Sequence, residues 1–572
     1  CRCDCNCYRP DTLGGEIGLS VPPVRLRTTE SVSSKIRHKV ESTWLIRTGR
    51  TRVSRSCTIA IGPSWIPDLI SPSELFLALL VQISSMLQPQ NNSEVTSHDV
   101  IVVGAGSAGL YAAKTLENLG YDVLILEASG RIGGRVKSAT LGDMRVELGA
   151  EEHYLATGAN PIWGAMNEKY GDQIYVRPYR GLSAYSMDGG AGTCWSSRAA
   201  HNPCSNDPDV GRVDDFWDWY WIPELHQNPD TNLADEVFAE YGVGPSHRAY
   251  HLYDAGIAGG SFATNLDKLG ARSLALESNE WTLSNTTLVI ADKDLGYADA
   301  LNDLWWKDVI SSNDLLLNTP VKSVDTTGDD VLVIDANGDK HLAHQVIITV
   351  SVGVLQANVI EFRPDLPAST IDAFRQIGFD SGMKIALSFS NAWWETEGEP
   401  LAWLVTEGVA GACWVPSDYK DRSTSYILMC YPMGENSRQL TAFGAEGGEE
   451  AIVAAVLDDL NQTFPATSEA ASEFYVDALV QDWGADPYTR GAYSYPTMET
   501  IRSIENDTAR LRLRAPVADR RIFFAGEATH PTHPATVVGA IHEGERAALE
   551  VHATNGSPGN VPVQSKSEFR QW

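Results

Sequence analysis

The sequence predicts an α/β fold, a mostly parallel sheet with flanking helices, interleaved with an α+β part made of mixed sheet and helices. Three observations predict it. A strand–helix–strand unit with a glycine-rich turn begins near residue 99. Further apolar strands occur much later, at 331–350 and 521–525. The long stretches between them, 166–285 and 360–485, are rich in Trp, Tyr and acids and carry several amphipathic helix patterns.

The first unit begins with Val100–Val103, an apolar and mainly β-branched run typical of a buried parallel strand. A turn over Gly104–Gly109 follows, and then a predicted helix over Leu110–Leu119 that stops at Gly120. The second strand, Val123–Leu126, ends at Glu127. This is a βαβ unit in about thirty residues.

The turn carries the pattern GxGxxG, and its position between a strand and a helix makes it a dinucleotide-binding signal. Gly104 permits the tight turn, Gly106 lets the backbone approach a pyrophosphate, and Gly109 lets the helix pack on the strand. The phosphates would lie at the positive end of the helix. Glu127 can accept hydrogen bonds from a ribose diol and would repel a 2′-phosphate, which favours FAD or NAD over NADP.

The segment after Glu127 favours FAD. Gly133, Gly134 and Arg135 follow directly, and the chain then reaches Gly149 and Ala150. More glycines at this point imply a second close approach of the backbone to phosphate or flavin. Arg135 can pair with the pyrophosphate as a planar fork.

The later strands are predicted at Val331–Ile334 and Val346–Val350, around a turn at Asn337 and Gly338. A short buried strand over Arg521–Ala525 leads into Gly526 and Glu527, and a helix follows over about 538–552.

Residues 1–95 are excluded from the fold and are expected to be disordered or poorly packed. Residues 1–55 hold 11 Lys or Arg and 5 acids, whereas the whole chain has a net charge of −30. A targeting peptide and a translation begun upstream of the true start both explain this segment. Its apolar run at 75–81 is too short for a bilayer span. Its CRCDCNC pattern could bind a soft metal, but no metal site is predicted in the body of the chain.

The acidic balance argues against nucleic-acid and anionic-membrane partners and favours cationic small molecules. The alternative is that the charge only provides solubility. The four Cys of the body, at 194, 204, 413 and 430, do not define a disulfide framework. The last three residues are not a peroxisomal signal, and the compartment stays open between cytoplasm and secretion.

With these blocks the chain resembles the flavin-containing amine oxidase superfamily, which includes polyamine oxidases, monoamine oxidases, L-amino acid oxidases and flavin-dependent histone demethylases. The resemblance covers about residues 99–552, through VVGAGSAGL, LEASGRIGGRV, VELGA, PVKSV, VSVGVLQ, GMKIALSF and FFAGEATH. It implies a Rossmann-like FAD-binding domain interleaved with a mixed-sheet and helical substrate domain. The FAD-binding parts would be 96–165, 286–358 and 486–552, the substrate parts 166–285 and 359–485, and the tail 553–572.

The resemblance also implies which residues contact FAD. Val321 matches a backbone position that grips adenine, Glu527 an acid near the pyrophosphate and ribityl chain, and Thr536 and Val537 positions at the flavin ring. The full expected set is Gly104, Gly106, Ser107, Ala108, Gly109, Glu127, Ala128, Gly134, Arg135, Gly149, Ala150, Val321, Gly526, Glu527, Thr536 and Val537.

Lys384 is the expected catalytic residue. It lies within the apolar strand Met383–Phe389, where a lysine could simply bury its stem and extend its amine to water. GMKIALSF, however, aligns with the block whose lysine holds a water near the reactive nitrogen of the flavin. Lys384 could therefore act in proton transfer or in oxygen activation, in a reaction that turns an amine into an imine and O₂ into hydrogen peroxide.

The pattern departs from polyamine and monoamine oxidases at two positions. Thr536 and Gly382 stand where those enzymes usually have aromatic rings over the flavin. Tyr493 and Tyr495 could line the pocket instead, and Trp393 and Trp394 are further candidates. The C-terminal block also lacks the Cys that attaches FAD in monoamine oxidases, so FAD should be non-covalent.

Four polar residues after VELGA are expected to contact substrate, namely Glu151, Glu152, His153 and Tyr154. In polyamine-oxidising relatives this stretch orients a distant ammonium group, although a solvated turn explains it equally well. A polyamine oxidase-like enzyme is the leading hypothesis. An L-amino acid oxidase is the second, but no arginine for a substrate carboxylate is identified. A demethylase-like or non-catalytic flavoprotein is the third, favoured by Pro534–Val537 but lacking the expected coiled coil.

Overall fold

A computed structural model of the chain describes residues 39–48, 51–60, 97–154, 163–176, 182–188, 194–197, 208–210, 230–279, 287–290, 294–395, 401–416, 426–464, 470–503 and 507–556. The chain divides into two compact units, residues 1–92 and 93–572. In the described parts, every helix is too short or too polar to span a lipid bilayer.

The strands, numbered in chain order, are β1 (Lys39–Thr48), β2 (Thr51–Ala60), β3 (Ser97–Val103), β4 (Val123–Leu126), β5 (Ser138–Leu141), β6 (Met144–Glu147), β7 (His153–Tyr154), β8 (Ile174–Val176), β9 (Leu182–Tyr185), β10 (Cys194–Ser197), β11 (Thr287–Ile290), β12 (Asp314–Leu316), β13 (Val321–Asp325), β14 (Val331–Asp335), β15 (Lys340–Ile348), β16 (Glu361–Arg363), β17 (Ile377–Phe379), β18 (Met383–Phe389), β19 (Leu401–Val405), β20 (Ala412–Trp414), β21 (Tyr426–Tyr431), β22 (Tyr475–Asp482), β23 (Ser494–Pro496), β24 (Ile501–Ser503), β25 (Asp507–Thr508) and β26 (Ile522–Phe524).

The α-helices are α1 (Ser107–Asn118), α2 (Trp163–Tyr170), α3 (Leu233–Tyr241), α4 (Gly260–Phe262), α5 (Ala271–Asn279), α6 (Tyr297–Leu301), α7 (Lys307–Ser312), α8 (Val352–Gln356), α9 (Ala368–Gln376), α10 (Glu435–Thr463), α11 (Ala470–Phe474), α12 (Ala509–Leu513) and α13 (Val537–Asn555). Helix α10 bends at Gly448, which has a non-helical backbone. Two π-helical segments, Leu252–Gly259 and Asn302–Trp306, run into α4 and α7. Single 3₁₀ turns occupy Gly171–Gln173, Leu266–Lys268 and Glu527–Thr529.

The first unit contains an antiparallel hairpin of β1 and β2, which pair from Lys39 opposite Ala60 to Thr48 opposite Thr51. This hairpin was not predicted from the sequence. Its strands contain Val, Thr and Ile, and β-branched residues of this kind favour extended backbone. The remainder of residues 1–96 lies outside the described residues, so the expectation of disorder there stays a prediction.

The larger sheet of the second unit confirms the predicted α/β part. Its strand order is β12-β4-β3-β15-β14-β13-β16, with β26 paired to β15. Strands β3, β4, β12 and β26 run parallel to their neighbours, as the βαβ prediction requires. Strand β15 begins at Lys340, six residues before its predicted start, because its first half alternates exposed and buried residues against β14 instead of forming an apolar run.

Helices α1 and α13 cover one face of this sheet. They approach each other closely because Gly544 has no side chain: a Cβ there would lie 2.2 Å from the carbonyl oxygen of Ala108. Ala112, Ala113 and Leu116 of α1 pack with the sheet in one apolar core. Both helices were predicted from the sequence, with starts one to three residues later than observed.

A second, mixed sheet has the strand order β10-β9-β19-β20-β21-β18-β22. Strand β18 lies near its edge between β21 and β22, and all seven of its residues are buried. The two Trp residues that follow it, Trp393 and Trp394, pack with Phe389 in the core under α10. The suggestion that these tryptophans line a pocket is therefore wrong: their rings fill the interior behind the sheet.

Cys413 and Cys430 form a disulfide between β20 and β21. The sequence analysis inferred no disulfide in the body of the chain. The pair forms because the two residues lie directly opposite each other in the antiparallel register, a relationship that the sequence does not show.

Candidate functional site

A cavity of about 1250 Å³ is lined by the turn between β3 and α1 and also by residues of β18, β20 and β21. Ligand pockets are usually about 300–1,000 Å³, so this cavity has room for a dinucleotide and a small substrate together. It brings the predicted nucleotide-binding residues and Lys384 to one cavity.

The turn after β3 has the backbone that the glycine pattern predicts. Gly104 adopts φ +107°, and a Cβ there would lie 2.7 Å from the Thr349 hydroxyl. A Cβ on Gly109 would lie 1.9 Å from the carbonyl oxygen of Gly104. Gly109 does not line the cavity, which corrects its inclusion among the cofactor contacts: it serves the close packing of helix on turn.

The N-terminus of α1 is suited to an anion. Its N-cap, Gly106, provides no side-chain cap, and the buried Ser107 hydroxyl has no hydrogen-bond partner. The amide groups of a first helical turn need acceptors, and a phosphate supplies them. The second glycine loop lies alongside, where Gly133 donates a hydrogen bond of 2.8 Å to Ala105.

Glu127 is buried at the end of β4 and lines the cavity. Its carboxylate accepts hydrogen bonds from the Ala105 amide at 2.7 Å, the Ser129 amide at 2.8 Å and the Ser129 hydroxyl at 2.7 Å. A carboxylate has about four acceptor sites. One site is thus left for a ribose hydroxyl, while three hold the glycine turn and the following loop together.

Arg135 and Glu527 form an ion pair of 2.8 Å on the cavity wall. Glu527 also accepts hydrogen bonds from the Ser494 hydroxyl at 2.6 Å and the Ala535 amide at 2.8 Å. Burial raises the pKa of Glu527, but Arg135, the Ser494 hydroxyl and Arg510 outweigh it and hold the pKa below its usual value. Glu527 is therefore a buried carboxylate that fixes the Arg135 guanidinium beside the glycine loops.

The Lys384 ammonium lies in the same cavity and is buried. Its Nζ atom donates to a Glu151 carboxylate oxygen at 2.9 Å and to the Glu147 carbonyl oxygen at 3.1 Å. The other Glu151 oxygen accepts a hydrogen bond from the Trp414 indole at 3.2 Å. Lys384, the expected catalytic residue, and Glu151, an expected substrate residue, thus form one buried ion pair.

Two aromatic rings, those of Trp414 and Tyr431, lie beside this pair, and the Trp403 ring stacks on that of Trp414. Trp403 and Trp414 are stacked with centroids 5.7 Å apart, and Tyr431 meets Trp414 edge-on at 5.5 Å. The Lys384 Nζ atom lies 5.1 Å from the Trp414 ring centroid and 5.8 Å from that of Tyr431, within cation–π range. Sequence reasoning missed these rings because they come from short strands without a clear alternation.

The two positions that lack aromatic residues behave differently. Thr536 lines the cavity, and its hydroxyl caps α13 by accepting a hydrogen bond from the Gly539 amide at 2.9 Å. Gly382 has no room for a ring, since a Cβ there would lie 2.4 Å from the Met433 sulfur. Trp403, Trp414 and Tyr431 therefore provide aromatic surface that Gly382 and Thr536 do not.

Glu147 contacts Lys384 through its carbonyl oxygen, whereas its side chain has other partners. Its carboxylate accepts hydrogen bonds of 2.7 Å from the Ser138 hydroxyl and from the Tyr297 amide. Burial raises the pKa of Glu147 to about 7, against the lowering effects of these bonds and of Lys384. This carboxylate can therefore change its charge near neutral pH.

The remaining predicted substrate residues fall into three groups. Glu152 and Tyr493 line the cavity. Tyr495 does not: its ring packs against Gly378 and belongs to a core cluster. His153 and Tyr154 form the short strand β7, and their side chains lie outside the described residues.

The remaining predicted cofactor residues line the cavity: Gly106, Ser107, Ala108, Ala128, Gly134, Gly149, Ala150, Val321, Gly526 and Val537. A Cβ on Gly149 would lie 2.0 Å from the Arg135 carbonyl oxygen, so this glycine permits the crossing of two cavity-lining segments.

A cluster of three histidines, His530, His533 and His542, was not predicted from the sequence. Their ligand-capable atoms all lie within 4.8 Å of one another. The Nδ1 atom of His530, however, accepts a hydrogen bond of 2.9 Å from the His533 amide. This bond places the proton of a neutral ring on Nε2, whereas a metal-binding histidine usually donates from the nitrogen that is not coordinated. The cluster is therefore poorly arranged to coordinate a metal.

Two family profiles match the chain. Residues 216–552 match flavin containing amine oxidoreductases, and residues 102–168 match an NAD(P)-binding Rossmann-like domain. The second match covers the βαβ unit and the glycine loops described above.

Curated relatives divide between two kinds of protein. Human lysine-specific histone demethylase 2 is 27% identical over 487 residues, which cover 79% of this chain and 53% of the relative. Probable polyamine oxidase 4 of Arabidopsis thaliana is 27% identical over 492 residues, covering 82% of this chain and 88% of the relative. The chain thus spans only about half the length of this demethylase.

Among solved structures, putrescine oxidase bound to putrescine matches with a TM-score of 0.61 at 20% identity, covering 80% of this chain and 99% of that one. At this identity the similarity establishes the fold: a Rossmann-like nucleotide-binding part joined to a mixed-sheet and helical part. Since the flavin profile covers more than half of the sequence, the chain belongs to the family of flavin containing amine oxidoreductases.

Proposed function

We propose that this protein is an FAD-dependent amine oxidase that acts on polyamines or related cationic amines. One observation carries the proposal. A single cavity is lined by the dinucleotide-binding turn, by Lys384 and by the aromatic wall, which consists of Trp403, Trp414 and Tyr431. A flavin bound by the turn would then share one cavity with the substrate, as oxidation of a C–N bond requires.

The family implies FAD, and the residues present fit it. The uncapped start of α1 and the Ser107 hydroxyl would hold the pyrophosphate, and Glu127 would accept a ribose hydroxyl. Arg135, held by Glu527, would face the phosphates. When bound, FAD accepts a hydride from the carbon beside the nitrogen and passes two electrons to O₂.

Non-covalent attachment is part of the proposal, because the C-terminal block reads Thr532-His533-Pro534-Ala535 where a linking Cys would stand. We expect all of the yellow colour to pass through an ultrafiltration membrane after the protein is denatured. Colour that stays with the denatured protein would contradict this.

A cationic substrate is favoured by charge. Glu152 lines the cavity one residue beyond Glu151, and the whole chain carries a net charge of −30. Because the Glu151 carboxylate already pairs with Lys384, Glu152 is the stronger candidate to attract an ammonium group of the substrate. Relatives named polyamine oxidase and putrescine oxidase support this class of substrate.

The proposal is tested by measuring hydrogen peroxide released from spermine, spermidine, N-acetylated polyamines, L-lysine and L-phenylalanine. We expect turnover with a polyamine. Peroxide from the amino acids alone would favour the L-amino acid oxidase alternative, and none from any of the five would refute both. The Glu152→Gln variant should bind polyamines more weakly than the wild type does. Its KM should rise, and its kcat should change little.

A demethylase-like activity is the second candidate, since the demethylase relatives match as strongly as the oxidases and Pro534–Val537 resembles their version of this block. A peptide carrying monomethylated lysine belongs in the same assay. Formaldehyde and peroxide from that peptide, without turnover of free polyamines, would favour this candidate.

A further inference from the structure

Both oxygens of the Glu151 carboxylate are bonded to residues of the second sheet. One oxygen accepts a hydrogen bond from the Lys384 ammonium at 2.9 Å, and the other accepts a hydrogen bond from the Trp414 indole nitrogen at 3.2 Å. The side chains of Glu151 and Lys384 are 7% and 5% exposed. Glu151 thus joins the segment after β6 to strands β18 and β20.

A buried charge is tolerated only when it is compensated. The Lys384 ammonium is compensated by the Glu151 carboxylate, by the Glu147 carbonyl oxygen and by the faces of Trp414 and Tyr431. Lys384 nevertheless reaches the cavity wall. The arrangement fixes the Lys384 ammonium at one place on the cavity wall.

We propose that Glu151 is a positioning residue that holds the Lys384 ammonium in place for the reduction of O₂, and that it is not an anchor for the substrate. This inference rests on the proposed function, because it requires a flavin that is reoxidised by O₂. It does not depend on which amine is the substrate.

The overall reaction balances as amine plus O₂ giving imine plus hydrogen peroxide. The C–H bond beside nitrogen breaks and supplies a hydride, the N–H bond supplies a proton, and a C=N bond forms. O₂ gains two electrons and two protons. The first electron makes oxygen anionic, and a fixed, buried cation nearby stabilises that developing charge.

Other titratable groups lie near the pair. Glu147, on β6, contacts Lys384 through its carbonyl oxygen, and Glu152, Tyr493 and Tyr431 line the same cavity. A substrate ammonium bound at Glu151 would have to displace Lys384 from a buried carboxylate. Attraction of the substrate by Glu151 is therefore disfavoured.

The test uses the flavin-loaded protein, reduced with light and a sacrificial electron donor under argon so that no amine is needed, and then mixed rapidly with air-saturated buffer. Flavin absorbance reports reoxidation. The variants are Glu151→Gln, Glu151→Asp, Lys384→Met and the double variant Glu151→Gln/Lys384→Met. Glu543→Gln is the matched control, because Glu543 is a buried carboxylate paired with Arg546 away from the cavity lining.

We expect Lys384→Met to slow reoxidation roughly 100-fold and Glu151→Gln roughly tenfold. The double variant should be no slower than Lys384→Met, since residues that act through one another are not additive. Glu151→Asp should recover part of the rate, and Glu543→Gln should keep the wild-type rate. Reoxidation of Glu151→Gln at the wild-type rate, or a further slowing in the double variant, would overturn the proposal.

A second measurement does not depend on turnover. In the flavin-free protein, denaturant unfolding of the same variants should show that Glu151→Gln and Lys384→Met are each destabilising and that the double variant is less destabilised than their sum. Additive losses would show that the ion pair is not formed. If no amine gave peroxide in the substrate assay, the light-driven experiment would still give its answer.

Discussion

The guanidinium of Arg510 makes two hydrogen bonds to the carboxylate of Glu277, of 2.6 Å from Nε and 3.1 Å from Nη2. Arg510 is fully buried, and its Nη1 atom also donates to the Ser494 hydroxyl at 2.7 Å. Ser494 in turn donates to Glu527 on the wall of the cavity. The Arg510–Glu277 pair therefore connects α5 to the residues that are proposed to hold FAD.

Arg510→Met should destabilise the protein by about 3–5 kcal/mol, because it leaves the Glu277 charge buried without compensation. Denaturant unfolding followed by circular dichroism measures this loss. Adding Glu277→Met should restore much of the lost stability, since replacing a whole buried ion pair by apolar residues is often close to neutral.

Arg363→Met is the control. Arg363 pairs with Glu361 at the surface, where more than half of each side chain is exposed. Its loss should lower the free energy of unfolding by under about 1 kcal/mol. Equal losses for Arg510→Met and Arg363→Met would contradict the prediction.

The disulfide between Cys413 and Cys430 lies next to the aromatic wall, since Trp414 and Tyr431 are the following residues of β20 and β21. Cys413→Ser/Cys430→Ser should lower the free energy of unfolding by about 3 kcal/mol, the usual effect of releasing a loop of this length. Reducing agent should lower the melting temperature of the wild-type protein and leave that of the double variant unchanged. A wild-type melting temperature that reducing agent does not move would show that the bond does not contribute.

The α/β part of the fold could be predicted from sequence because its signals are local. Val100–Val103, the glycine turn and Glu127 lie within thirty residues, and each has a recognisable preference. The second sheet could not be predicted in the same way. Its strand β9 pairs with β19, more than 200 residues later, and this pairing is decided by burial in the whole domain. Only β18 was predicted there, because its run of seven residues is apolar except for Lys384 and Ser388.

The candidate site shows the same division. Lys384 and the glycine positions could be predicted, but their partners could not. Glu151 lies 233 positions from Lys384, and no periodicity connects them. The resemblance to polyamine-oxidising relatives suggested that Glu151 contacts a substrate, but it did not indicate that Glu151 is buried beside the Lys384 ammonium. Trp414 was missed because a three-residue strand is too short to show which face is buried.

Glu127 provides a test of the proposed cofactor site. Glu127→Gln replaces a carboxylate with an amide that has only one acceptor oxygen, so the hydrogen bonds from Ala105 and Ser129 compete with the ribose for it. We expect the dissociation constant for FAD to rise roughly 10- to 100-fold, because hydrogen bonds to charged groups contribute about 1.5–3 kcal/mol. Quenching of FAD fluorescence by the flavin-free protein measures it. Glu361→Gln, at the surface of β16, should leave the affinity unchanged. Wild-type affinity in Glu127→Gln would exclude the assigned role.

The histidine cluster predicts how stability depends on pH. Burial, together with the nearby His542, lowers the pKa of His533 to about 3. A histidine in the unfolded chain has a pKa of about 6.5. Between pH 3 and pH 6.5 the unfolded state therefore binds a proton that the folded state does not. The contribution of neutral His533 is therefore fully present above about pH 6.5 and is lost as the pH falls towards 3.

His533→Gln removes this proton uptake. The free energy of unfolding of the wild type, relative to that of the variant, should fall by at most about 1.4 kcal/mol for each pH unit below 6.5. Urea unfolding of both proteins at pH 7.5, 6 and 5 measures this difference in the free energy of unfolding. The raised pKa of Glu147, about 7, gives the opposite trend, a loss of stability as the pH rises. Because both proteins contain Glu147, its contribution cancels in the difference. A difference that stays constant over these three pH values would mean that His533 is protonated equally in the folded and unfolded states.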